Sequence, residues 1–263
     1  MIFHRAVPDD DVVSPRAVAC GIHTIPEVPA LITERFLPAR DSAPTGPRSL
    51  RVVPSRPPVE PPTRWSADWC SLSYGVDYSF LYLHRRVWPR WPHTQPIVVR
   101  LRRGDDEQGW ALRDDLSLVI EELRLLTALP LQLGPDFDRD QPPTGFARQE
   151  IRVSCLDTTE DRIGWQPGPL GVGGIFLHPA NGRIHSGFAV ISAATSALGP
   201  AAAGLLRHEL GHALGLGHAH RQGTVMNDQF LPGTWGLGDR VGLHLAGGGP
   251  SVQGCAYSLV EPR

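Results

Sequence analysis

The sequence has no lysine, and all 25 basic residues among its 263 are arginine. Together with 28 glycines and 26 prolines, this composition looks like the codon bias of a GC-rich genome, and we give it no functional meaning. Acidic residues number 27, so the net charge is only −2. Nothing in this balance predicts binding to nucleic acid or to an anionic membrane.

Long apolar runs are also lacking. No uninterrupted apolar stretch approaches the roughly 18 residues that a membrane-spanning helix needs, so no membrane span is expected. Residues 1–11 carry Pro8 and three aspartates where a signal peptide requires an apolar stretch. Either the protein is not exported by that route or its true start lies elsewhere.

The four cysteines form no Cys-x-x-Cys pair; they are Cys20, Cys70, Cys155 and Cys255. An even count permits two disulfides in any of three pairings, and free thiols are the alternative. If a disulfide forms, we favour Cys70 with Cys255, because that bond would tie the two ends of the compact region together.

Proline content divides the chain. Residues 1–64 hold 12 of the 26 prolines, which predicts an extended linker or pro-segment with little core of its own. Residues 65–95 form an extension of uncertain role. Within it, apolar residues alternate over 74–82 as in a strand with one aromatic face. Residues 88–92, Trp-Pro-Arg-Trp-Pro, predict a stiff connector along the surface, with a stacking platform as the alternative.

A regular order of elements begins at residue 96. Apolar spacing predicts a long helix over residues 106–128 and an Ala/Leu-rich helix over 193–216. Strands are predicted at residues 97–101, 131–133, 151–156, 174–177 and 184–191. Residues 96–263 are therefore predicted to form one α/β (α+β) domain, a mixed five-stranded sheet with helices packed on it.

The strongest feature is the run from His208 to His218, His-Glu-Leu-Gly-His-Ala-Leu-Gly-Leu-Gly-His. On a helix, His208 and His212 lie one turn apart on the same side, so both imidazoles can reach one cation. Glu209 is placed to act on a water at that cation and not to bind the cation itself. Gly215 can adopt a positive φ and end the helix, so that the chain turns back and His218 becomes a third ligand.

Three nitrogen ligands with an open fourth position are typical of a catalytic zinc site. Two plainer interpretations exist, a buried helix with hydrogen-bonded histidines and a surface histidine cluster. Random placement of the five fixed positions is expected in about one in ten thousand chains of this composition, which favours the zinc site.

The same run matches the zinc signature of the metzincin peptidases at every defining position. Metzincins also carry a methionine in a tight turn beneath the metal, and Met226 lies eight residues after His218. The chain resembles bacterial matrixin-like (peptidase M10-type) proteins over roughly residues 96–248. It departs from them at Ala219, where matrixins often have serine, and at Asn227, where the usual proline is missing.

This resemblance implies a metzincin-like catalytic domain whose twisted five-stranded sheet packs against a long helix, an active-site helix and a C-terminal helix. It implies a zinc-dependent endopeptidase with one catalytic Zn²⁺, a zinc-activated water and Glu209 as general base. Met226 would support the zinc site without being a ligand, and an extended polypeptide substrate would pair with the strand at 174–177. Secretion is expected from the resemblance, and we expect a monomer.

Two other functions stay open. One is a catalytically silent zinc-containing module that binds or inhibits, although metal binding alone does not require Glu209. The other is a zinc hydrolase that acts on non-peptide amides.

His178 and His185 flank the predicted hairpin, where matrixins hold a structural zinc with histidines. No His-x-Asp pair lies upstream, so we interpret both as polar hairpin residues, with a second metal as the alternative. Only the pair Cys20-Gly21 matches the cysteine switch of matrixin pro-segments, and we predict no such switch.

Overall fold

The computed structural model describes residues 16–22, 71–82, 88–93, 95–102, 107–138, 140–141, 147–156, 170–178, 182–193, 200–228 and 233–248. In chain order, its elements are β1 Arg16–Ile22, β2 Ser79–Phe80, β3 Ile97–Leu101, α1 Glu107–Thr127, β4 Leu131–Leu133, β5 Glu150–Leu156, β6 Gly171–Leu177, β7 Ile184–Ser192, α2 Pro200–Ala213, β8 Leu216–Gly217 and α3 Leu237–Ala246. None of the helices among these residues is long and apolar enough to cross a membrane.

Six strands form one mixed sheet in the order β1-β6-β7-β5-β3-β4. The strands from β7 through β5 and β3 to β4 pair in parallel, whereas β6 is antiparallel to β7 and β1 is antiparallel to β6. The predicted α+β fold with a mixed sheet of five strands is confirmed at this level. β1 is a sixth strand that the sequence analysis did not predict, and it comes from the proline-rich region.

The long helix α1 follows the predicted spacing closely. The apolar side chains at the predicted spacing are buried, whereas Leu118 and Leu125 are exposed; the buried ones are Leu112, Leu116, Val119, Ile120, Leu123 and Leu126. The helix ends where the Thr127 hydroxyl donates to the carbonyl of Leu123 at 2.6 Å. Ala128 then adopts a φ of 55° and takes the chain out of the helix.

The histidine-bearing helix α2 packs across β6 and β7. It runs from Pro200 to Ala213, and the other residues of the predicted helix before Pro200, 194–199, lie outside the described part. Proline suits a first helical position because its nitrogen has no hydrogen to leave unpaired there. The sheet lets the helix approach closely at Gly187, where an added Cβ would lie 2.8 Å from the carbonyl oxygen of Ala213.

The predicted strand over residues 74–82 is largely wrong. Gly75 has a φ of 82° within a turn, and the carboxylate of Asp77 accepts a hydrogen bond from the N–H of Ser73 at 2.7 Å. Only Ser79–Phe80 form a strand, and it pairs with β8. Local turn hydrogen bonds therefore prevail over the apolar alternation in this stretch.

The prediction of a surface connector at residues 88–92 is also wrong for its tryptophans. Trp91 is 1% exposed, and its Nε1 donates to the carbonyl of Ala213 at the end of α2. Trp88 stacks on Phe80 with ring centroids 4.8 Å apart and donates to the carbonyl of Leu245 in α3. The two indoles contact the ends of both helices because their large apolar area favours burial.

Of the four cysteines, only Cys155 has its side chain in the described part of the structure. Cys155 lies half-buried in β5. The side chains of Cys20, Cys70 and Cys255 lie outside the described part of the structure, and so does the predicted pairing of Cys70 with Cys255.

Candidate metal centre

The three predicted histidines come together at one point. His208 and His212 are fully buried on α2, one turn apart. Gly215 follows the helix with a φ of 103°, and β8 leads the chain back to the half-buried His218. The Nε2 atoms of His208 and His212 lie 2.9 Å apart, and that of His218 lies 3.1 and 3.2 Å from them.

Two of these rings have their other nitrogen fixed by the backbone. Nδ1 of His208 donates to the carbonyl of Val225 at 2.6 Å, and Nδ1 of His212 donates to the carbonyl of Leu216 at 2.8 Å. A carbonyl only accepts, so the proton of each neutral ring is on Nδ1 and the lone pair is on Nε2. Burial lowers the pKa of His208 to about 3 and lowers the pKa of His212 well below its ordinary value. Both rings are therefore neutral at pH 7.

Lone pairs that converge at this distance repel one another unless a cation lies between them. In a tetrahedral zinc site with N–Zn bonds of about 2.0–2.1 Å, ligand nitrogens are about 3.3 Å apart, close to the observed separations. In the part of the chain that the structure describes, this is the only group of three or more potential ligand side chains whose donor atoms converge. The donor set fits a divalent metal ion of the zinc type.

Glu209 lies next to the first histidine and is also fully buried. Neither carboxylate oxygen has a hydrogen-bond partner among the described residues, and burial raises the pKa of Glu209 well above its ordinary value. A buried carboxyl group without a partner is costly to keep ionised. A cation nearby would favour its ionised form, so this orphaned group also fits a metal site.

Met226 lies in a turn beneath the histidine helix and is 1% exposed. Its sulfur occupies the space where a Cβ on Gly211 would lie, so it packs directly on the helix backbone beside His212. The carbonyl of the preceding residue, Val225, is the one that orients His208. The turn therefore contacts the helix at His208 and at Gly211, and Met226 is not among the converging donors.

Asp239 is a further residue of this site, and it was not predicted from the sequence. Its carboxylate accepts hydrogen bonds from the backbone N–H groups of Val225 at 2.6 Å, Met226 at 3.1 Å and Gly236 at 2.8 Å. It thus joins the first turn of α3 to the turn that orients His208. An aspartate near the start of a helix is a pattern that can be recognised in a sequence. Its bonds to Met226 and Val225, which lie 13 and 14 residues away in the chain, cannot be recognised in that way.

Asp239 gives a test by pH. Burial, only partly offset by its three hydrogen bonds, raises the pKa of Asp239 to about 6, above an unfolded value of about 3.9. The folded state therefore binds the proton of Asp239 more tightly than the unfolded state does. The stability that this adds is fully present below about pH 4 and is lost as the pH rises through about 6. We expect the free energy of unfolding of wild type, relative to Asp239→Asn, to fall by about 2 kcal/mol from pH 4 to pH 7.

Urea denaturation of the metal-free proteins measures this difference, with the exposed Asp228→Asn as the matched control. A difference that grows as the pH rises would show that the backbone donors hold the ionised form, contrary to the expectation.

Asn227, which departs from the matrixin pattern, also has a role in the structure. Its side-chain nitrogen donates to the carbonyls of Ala219 and His220, each at 3.2 Å. These bonds tie the chain just after His218 to the turn at Met226. An asparagine here thus holds the third histidine's segment in place.

Arg207 fixes the helix from the other side. It is 3% exposed and donates to both carboxylate oxygens of Glu122 in α1, at 2.7 and 2.8 Å. The indole of Trp235 donates to the same carboxylate at 3.1 Å. Because Arg207 directly precedes His208, this bidentate pair constrains where the histidine helix sits against α1.

His178 and His185 are near each other but form no metal cluster with a third side chain among the described residues. His178 is exposed, and His185 is half-buried. Burial lowers the pKa of His185, and the charge of His178 lowers it further. A second metal at this pair stays an unsupported alternative.

No protein-family model matches the chain, and no curated protein sequence matches it.

Proposed function

We propose that this chain is a zinc-dependent endopeptidase of the metzincin type, most like the bacterial matrixin-like enzymes. One observation carries the proposal: three imidazole nitrogens converge, and the residue next to His208 in the chain, Glu209, is a buried carboxyl group with no hydrogen-bond partner among the described residues. Metal binding alone requires no such carboxyl group, whereas hydrolysis requires a base within reach of the metal.

His208, His212 and His218 would hold the ion through their Nε2 atoms. When bound, zinc supplies a Lewis acid that polarises a carbonyl group and lowers the pKa of water towards neutrality. Glu209 accepts the proton of the attacking water on a carboxylate oxygen and donates it to the leaving nitrogen as the C–N bond breaks. Its burial helps it to hold that proton between the two steps, because burial favours the neutral carboxylic acid.

The outer edge of β6 runs beside this carboxyl group, since Gly171 and Gly173 both approach Glu209. An extended polypeptide that pairs with that edge would pass along the site. In the structure β1 takes this edge, in register from Arg16 opposite Leu177 to Ile22 opposite Gly171. A polypeptide substrate that uses the edge must therefore displace β1.

This competition is testable by proline substitution in β1. Val18→Pro combined with Ala19→Pro removes two backbone N–H groups from the strand and should weaken its pairing with β6. Because β1 is tethered to the chain, it competes for the edge at an effective concentration of about 1 mM. Ordinary substrates have KM values of about 1 μM to 1 mM, so the tethered strand competes at a concentration at least as high as those values. We expect kcat/KM for an unstructured protein substrate to rise at least about twofold.

The control is Val18→Ala, which keeps both N–H groups and should leave kcat/KM near the wild-type value. If the double proline variant folds with its zinc content intact and shows no rise, β1 does not compete with substrate.

The test of the function itself uses the full chain. We expect one zinc per chain by atomic absorption, cleavage of casein, loss of cleavage on chelation and recovery on adding zinc. A protein that holds one zinc and cleaves neither casein nor a broad set of peptides is the silent binding module. Cleavage of small acylated amines without cleavage of peptides indicates the non-peptide amide hydrolase.

A further inference from the structure

The strand beside the site, β6, lacks side chains at two positions on the face that meets α2. These positions are Gly171 and Gly173, whereas the next two on that face, Ile175 and Leu177, carry large buried side chains. Neither glycine has a positive φ. Backbone conformation therefore does not require glycine there, and space beneath the strand is the remaining structural reason.

The two glycines meet different kinds of atom. A Cβ on Gly171 would lie 2.5 Å from Oε1 of Glu209 and 2.9 Å from its Cδ and Cγ, all side-chain atoms. A Cβ on Gly173 would run into the backbone carbonyl of Glu209 and lie 2.9 Å from the Cβ of His212. A methyl group at 171 can thus be accommodated by moving the carboxyl group alone, whereas one at 173 must move the helix or the strand.

We propose that Gly171 is a positioning residue for the general base: its missing side chain leaves the space in which the Glu209 carboxyl group lies. No hydrogen bond from the described residues holds that carboxyl group. Packing therefore fixes its direction within the described part, and the backbone at Gly171 is one of its close neighbours. The inference rests on the proposed function and names a residue that this function requires.

The experiment compares three alanine variants of the zinc-loaded full chain. Gly171→Ala should lower kcat by about 10²-fold, since a displacement of about 1 Å in a reacting group costs that much, with KM, zinc content and Tm unchanged. Gly173→Ala should instead lower both zinc content and Tm. The matched control is Gly233→Ala, because a Cβ there has no neighbour within 4 Å, and it should match wild type.

A double-mutant cycle separates positioning from general damage. Glu209→Ala removes Cγ, Cδ and Oε1, the three atoms that a methyl group at 171 would meet, and leaves a residual kcat to be measured. In that background the addition of Gly171→Ala should change kcat by less than about threefold, because the clash that it causes is already relieved.

Crystal structures of wild type and Gly171→Ala add a measurement that does not depend on activity. We expect the Glu209 carboxyl group to move while the α2 backbone stays in place. An unmoved carboxyl group overturns the inference even if the wild type cleaves nothing, a result that would by itself refute only the proposed function. Wild-type kcat in Gly171→Ala, loss of zinc or of Tm in that variant, or an undiminished effect in the Glu209→Ala background would each overturn it as well.

Discussion

Replacement of Glu209 by glutamine should lower kcat for peptide hydrolysis by about 10²–10⁴-fold while the protein keeps one zinc per chain. The amide has nearly the shape of the carboxyl group, but it cannot accept and return a proton. Neither oxygen of Glu209 has a hydrogen-bond partner among the described residues, so the substitution breaks no visible structural bond. The measurements are kcat on a casein-derived peptide and zinc content by atomic absorption.

Glu121→Gln is the matched control, because Glu121 lies on the outer side of α1 with its side chain 64% exposed. It should leave kcat and zinc content at wild-type values. Undiminished hydrolysis by Glu209→Gln would mean that another group takes the proton of the water. Loss of zinc together with activity would place Glu209 in the metal site itself and not beside it.

The histidine helix was predictable because its information is local. His208 and His212 are four residues apart, and one helical turn is enough to bring them together. Gly215 ends the helix because it adopts a φ of 103°, a conformation that glycine reaches without strain. The five strands after residue 96 were visible for a similar reason, since alternation or a short apolar run marks each of them.

Asp239, β1 and Gly171 could not be predicted in the same way. Asp239 reads as an ordinary helix-start residue, and its bonds to the Val225–Met226 turn exist only after α3 has packed. β1 lies among prolines that predict an extended linker, and its strand character depends on an open edge of β6. A glycine such as Gly171 merely weakens a strand until one knows which side chain lies beneath it.

The two wrong predictions between residues 71 and 93, a strand and a surface connector, failed for a different reason. There the local pattern was clear but was overridden, first by the turn at Gly75 and then by burial of Trp91. Apolar alternation cannot show that Asp77 will accept a hydrogen bond from the N–H of Ser73 and close a turn. It likewise cannot show that a proline-bracketed tryptophan will reach the end of α2.

Contacts from all three helices reach the candidate metal centre. Asp239 in α3 holds the turn whose carbonyl orients His208, and Glu122 in α1 holds Arg207 beside it. Such partners fix ring orientation, and their loss typically costs about 10–100-fold in metal affinity. Loss of a ligand should cost more than loss of any one of these supports.

Replacement of His212 by alanine should accordingly lower zinc affinity by about 10²–10³-fold and end hydrolysis. Structural zinc sites with four ligands bind with about 10–16 kcal/mol, roughly 3 kcal/mol for each ligand. His212 is fully buried and donates to the carbonyl of Leu216, so its Nε2 cannot easily be replaced by another side chain. Competition with a chromophoric chelator measures the affinity.

The control is His220→Ala, since His220 is exposed and lies two residues beyond the third ligand. A ligand that binds only the folded state raises Tm, so zinc should raise the Tm of wild type and His220→Ala far more than that of His212→Ala. If His212→Ala still binds one zinc with wild-type affinity, the converging nitrogens do not hold the metal. The helix would then be a buried element with hydrogen-bonded histidines, and the proposed peptidase function would be refuted.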